Sequence, residues 1–92
     1  MTDEEKVDTS RLLQTPEGRH LLWRILEQCG VYRSSFTGDP HQTAFLEGQR
    51  SIGLWIMSEI VLTDGFDVFN VMSKEAEARN EKHKAEMALD DD

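Results

Sequence analysis

Thr43 to Leu62 reads T-A-F-L-E-G-Q-R-S-I-G-L-W-I-M-S-E-I-V-L, and the fold turns on this stretch. At about 100° per residue, Phe45, Gly48, Ile52, Trp55, Ile56 and Leu62 share one side of a helix. Leu46, Leu54, Met57 and Val61 fall elsewhere, so the second half is apolar almost all round. A helix of that kind is buried within a domain or between subunits. Upstream, Asp39 can cap the helix and Pro40 fits its first position. The expectation is a central helix over 40–62 with the Ile52 side turned to the core. Gly48 and Gly53 each weaken it by about 1 kcal/mol relative to Ala, a cost that goes with close approach of another backbone. Glu59 lies on the same side as Ile52 and Trp55, so it should be half-buried and paired, with Arg19 or Arg33 as its partner. Glu47 and Arg50, three apart, read as an exposed helical pair.

On the N-terminal side, Thr15-Pro16-Glu17 combines a cap hydroxyl, a proline and a carboxylate at the positive end of the dipole. Leu21, Leu22, Ile25, Leu26 and Cys29 follow at helical spacing, and Gly30 ends the helix. Trp23 stands off that arc, either wrapping the edge of the core or meeting a partner. Val31 to Gly38, V-Y-R-S-S-F-T-G, reads as an ordered loop whose aromatics plug one end of the helix pair. Its sharper reading is a partner or anion site built on Arg33, the Ser34-Ser35 hydroxyls and Phe36. It is not a phosphate loop, because the glycine spacing and the lysine of one are missing. Ser10 to Leu13 suggests one helical turn, and Met1 to Thr9, polar and charged, a frayed end.

Beyond the central helix, Thr63-Asp64-Gly65 is a break before a third helix with Phe66, Phe69 and Met72 on one face. After Ser73 the chain is rich in helix formers, with Glu75–Arg79 and Lys82–Glu86 four apart and no sustained apolar stripe. That predicts a helix running into solvent or against a neighbouring subunit, fraying at Asp90-Asp91-Asp92. The fold class is all-α: a compact three-helix domain with helices near 16–29, 40–62 and 65–85. Residues 1–9 form a flexible acidic N-terminus, 10–73 the helical core, and 74–92 a charged helical extension.

Ninety-two residues make one small domain, burying only about 60–65% of the unfolded chain's surface. The net charge is -8 and the pI near 4.7, which argues against direct nucleic-acid binding, where clustered Lys and Arg meet phosphates. The run from Ile52 to Leu62 is too short to span a membrane, and the acidic N-terminus is unlike a signal peptide. A single cysteine, Cys29, excludes an internal disulfide and fits the cytoplasm. His20, His41 and His83 lie on three different elements without metal-ligand spacing. T-D-G-F-D lacks the ligand spacing of a calcium loop. No nucleophile elbow or carboxylate pair stands out, so neither enzyme activity nor a cofactor or metal is expected.

The segments T-P-E-G-R (Thr15–Arg19), C-G-V-Y-R-S-S-F-T-G (Cys29–Gly38) and E-G-Q-R-S-I-G-L (Glu47–Leu54) stand in an order and spacing that resembles a family of short tailed-bacteriophage proteins. The family's namesake is a small protein of a Bordetella phage. The likeness runs from about Thr15 to Met72, with the charged tail outside it. Asp64-Gly65 departs from the Asp-Pro of relatives, which bears on where the third helix starts. The resemblance implies a gene near the head and portal genes and a structural or assembly role exerted by protein binding. Portal, capsid, scaffold or internal core would be the partner, in the infected host's cytoplasm or the virion. The -8 charge also motivates a different class, a non-structural phage protein that occupies a host or defence factor, such as the basic channel of a nucleic-acid enzyme. In either case the apolar excess of the central helix predicts association, with a homodimer as the simplest form. Leu54 and Val61, opposite Ile52, together with Trp23, are the expected contact patch.

Overall fold

A threonine followed three residues later by a glutamate can close a helix N-terminus on itself, and T-D-E-E at Thr2 to Glu5 does so. In the computed structural model, which describes residues 1–90, the Thr2 hydroxyl accepts from the Glu5 N–H at 3.1 Å. The Glu5 carboxylate accepts from the Thr2 N–H at 2.9 Å. These bonds hold the Glu5 carboxyl below its ordinary range. They open helix α1 (Asp3–Leu13), so the segment expected to fray is helical.

Helix α2 (Pro16–Cys29) starts where Thr15 accepts from the Gly18 N–H at 3.0 Å, and ends at Gly30 with φ 71°. Helix α3 (Pro40–Asp64) starts where Asp39 accepts from the His41 N–H at 3.1 Å, and stops at Gly65. Helix α4 (Asp67–Asp90) completes the set. The described residues therefore form four helices and no strand, an all-α fold with one helix more than the three expected. The third expected helix is α4, beginning two residues later than anticipated and running to Asp90; Asp91 and Asp92 lie outside the described residues.

The core is small. Leu13, Leu22, Leu26, Ile60 and Met72 are buried, with contributions from all four helices. Trp23, Val31, Ile56, Met57, Val68 and Phe69 pack around them. On α3 this reverses the expected orientation: Phe45, Ile52, Trp55 and Leu62 are all more than half exposed, whereas Gly53 and Ile60 face inward. Gly53 is the physical reason. A Cβ there would stand 2.4 Å from Val31 Cγ1 and 2.7 Å from Cys29 Cβ, so only glycine lets the end of α2 approach so closely. Once Gly53 meets α2, the helical period carries Ile56, Met57 and Ile60 inward and turns Ile52 and Trp55 out.

One polar cluster joins three helices. The Arg19 guanidinium donates from Nε and Nη2 to both Glu75 oxygens, at 2.9 and 3.0 Å, and from Nη1 to the Leu13 carbonyl at 2.8 Å. Hydrogen bonding to Glu75 raises the Arg19 pKa, and hydrogen bonding to Arg19 holds the Glu75 carboxyl low. Arg19 is thus not the partner of Glu59. Nor is Arg33, which donates to the Glu27 carbonyl at 3.1 Å and so satisfies the C-terminal end of α2. Glu75 also places α4 beyond Ser73 in contact with α2, whereas every residue from Asn80 to Leu89 is exposed. The molecule is thin and extended, 51 × 40 × 17 Å.

Candidate functional site

Helix α3 carries five exposed large hydrophobic residues, Phe45, Ile52, Leu54, Trp55 and Leu62. Phe45, Gly48, Ile52, Trp55, Glu59 and Leu62 succeed one another at alternating intervals of three and four residues, the spacing of a coiled-coil seam. The four large members are 64%, 56%, 57% and 62% exposed. Beside Ile52 the stripe opens into a groove of about 600 Å³ between α2 and α3, lined by Leu21, Ile25 and Cys29 together with the polar Arg24, Glu27, Gln28 and Gln49. Sequence reasoning found this stripe but assigned it to the core, since an all-round apolar helix leaves the inward side undecided until its neighbours are placed.

The residues expected to bind a partner are spread over several places. Trp23 packs on the core and against Tyr32, with ring centroids 5.9 Å apart and planes inclined at 34°. It also lines a groove between α2 and α4 with His20, Arg79 and His83. The structure therefore brings together two of the three histidines that sequence spacing kept apart. Burial, with the Glu27 charge second, pushes the Tyr32 phenol up. Leu54 is 42% exposed and Val61 half-buried, both on the flank of α3 away from Ile52.

The loop from Val31 to Asp39 is fastened to α3 by polar contacts. The Ser35 hydroxyl bonds to the Glu47 carboxylate, and the Thr37 N–H donates to the Thr43 hydroxyl at 3.2 Å. Glu47 also faces Arg50 at 3.6 Å. Thr43 and Glu47 lie on the side of α3 away from the apolar stripe, so the loop leaves the stripe open. Phe36 projects from the loop, 80% exposed. Arg33 is exposed but its guanidinium folds back on the end of α2.

Among the described residues, no group of three or more His, Cys, Asp or Glu is arranged to hold a metal ion. No described helix is long and apolar enough to cross a membrane. What the surface offers is contact: an apolar seam, an adjoining groove and a projecting aromatic.

The family model described as Bbp19-like phage protein matches residues 9–67, and the chain belongs to that family. The match takes in the end of α1, all of α2 and α3 and the loop between them, and stops where α4 begins. Comparison with curated proteins and with solved structures finds no match.

Proposed function

We propose that this Bbp19-like phage protein is a structural or assembly component of the phage particle, acting by protein–protein binding and not by catalysis. The observation that carries this reading is the stripe of Phe45, Ile52, Trp55 and Leu62, which a family member of this size leaves exposed on its longest helix. Exposed apolar surface of that extent marks a contact site. Portal, capsid, scaffold or internal core supplies the partner, and the protein works in the host cytoplasm during assembly or is retained in the virion. Mass spectrometry of purified virions and procapsids is the test. Presence in fixed proportion to portal or capsid protein is the expected result; absence from both kinds of particle overturns the reading.

The net charge of -8 favours one alternative, a non-structural protein that blocks a basic channel of a host or defence enzyme. That reading expects synthesis early in infection and no particle-bound copies.

A further inference from the structure

We infer that the Phe45–Leu62 stripe is the seam of an antiparallel homodimer in which α3 packs against α3 of a second copy. The first observation is a glycine that the single chain does not explain. Gly18 and Gly53 sit where an added Cβ would strike a neighbouring helix or loop, but a Cβ at Gly48 meets nothing within 4 Å. An exposed glycine in a helix costs about 1 kcal/mol relative to Ala. Its position in the middle of an apolar stripe is accounted for when another chain approaches there.

The second observation is the pairing that a two-fold axis produces. Two-fold contacts are reciprocal, so residue i on one copy meets j on the other and j meets i. With the axis midway along the stripe, Phe45 faces Leu62, Gly48 faces Glu59 and Ile52 faces Trp55. Each layer joins a larger side chain with a smaller one, and the missing side chain at Gly48 leaves the Glu59 carboxylate a path to water. A parallel pair would set Glu59 against Glu59, Trp55 against Trp55 and glycine against glycine, combining repulsion, crowding and a void. The residues flanking the seam, Ala44, Ser51 and Ser58 on one side and Gln49, Ile56 and Thr63 on the other, carry no charge. Apart from the Glu59 carboxylates, two chains of net charge -8 therefore meet through uncharged residues.

The third observation is area. The accessible surface is 6853 Å², whereas a globular monomer of 10.6 kDa exposes about 5,500 Å². Part of the excess is the projecting end of α4. The four large stripe residues present roughly 100 Å² or more each, and the groove at Leu21 and Ile25 adds to them. Together the two copies reach about 1,000 Å², the lower bound of a specific interface.

This dimer deepens the protein-binding reading above and rests on it. Sedimentation of the full chain at micromolar concentration, with circular dichroism to check folding, is the test. The expected result is a mass twice 10.6 kDa for the wild type and a monomer for Ile52→Glu, whose side chain lies outside the core. Gly48→Glu fills the space that the second chain enters and sets a carboxylate against Glu59, so it should dissociate the dimer, whereas under an added oxidant Phe45→Cys mixed with Leu62→Cys should form a disulfide between the two variants. A wild type that stays monomeric, Ile52→Glu or Gly48→Glu that remains dimeric, or Phe45→Cys that links to itself and not to Leu62→Cys would each overturn the antiparallel seam. A monomer found stoichiometrically in virions would remove the dimer and leave the assembly role standing.

Discussion

Arg19 joins three helices, tying α2 to α4 through Glu75 and to the end of α1 through the Leu13 carbonyl. Both partners keep some contact with water, at 17% and 26% exposure, so the pair belongs near the modest end of the range for bidentate contacts. Glu75→Gln should cost about 1 kcal/mol, and Arg19→Ala about 2 because it also strips the Leu13 carbonyl. A double-mutant cycle by urea unfolding should return a coupling of about 1 kcal/mol; additive losses would mean that the pair does not form. The pH dependence follows from the direction of the shift. The Glu75 carboxyl is held below its unfolded value, so its contribution is complete above about pH 4.3 and is lost as pH falls through the lowered folded value. Arg19 stays protonated throughout. Glu75→Gln should therefore show a shallower loss of stability than wild type below that range. Sequence spacing offers no route to this pair, since 56 residues separate its members and local spacing set Glu75 beside Arg79 instead. Gly53 is the opposite case, because a glycine inside a strong helical pattern already signals close approach. The sequence could not say that Cys29 and Val31 would be what approached.

Local chemistry marked most helix starts. Thr15, Asp39 and the prolines after them fix where α2 and α3 begin, and Gly30 and Gly65 mark the ends of both. Helix α1 announces itself in the same way through Thr2 and Glu5, but its charged composition masked that signal. Which face of α3 turns inward was not legible, since a helix apolar on all sides satisfies any rotation until a neighbour breaks the tie. Helix α4 poses a different question, because it outlasts the core. Val68, Phe69, Met72 and Glu75 hold its first half, but Asn80 to Leu89 are exposed without exception. A single helix without tertiary contact is marginal at such lengths, even with helix-forming residues. Amide hydrogen exchange of the dilute chain should therefore show a gradient along α4. Protection near Met72 should approach that of Leu26 and Ile60, and protection beyond Glu81 should fall to that of an isolated peptide. Uniform protection through Leu89 would show that another surface covers the tail.

The radius of gyration, 16.0 Å against about 12 Å for a compact chain of this length, reflects a thin slab with one projecting helix. A chain of net charge -8 repels its own kind at long range, while the seam on α3 attracts at contact. These two effects respond oppositely to salt. Raising ionic strength from about 0.1 M to about 1 M shortens the screening length from about 10 Å to about 3 Å, which removes most of the repulsion. It leaves apolar burial intact, so the α3–α3 dimer should tighten across that range. Binding to a basic channel draws on the same charge with the opposite sign, and should weaken steeply with added salt. Sedimentation equilibrium over a salt series reads the first trend on the purified chain alone. Because Ala44, Gln49, Ser51, Ser58 and Thr63 border the seam without charge, nothing on the stripe's rim should reverse it. Association that loosens as salt rises would mean that ion pairs elsewhere hold the copies together, with α4, where Glu77, Glu81 and Glu86 stand among Arg79, Lys82 and Lys84, as the place to look for them.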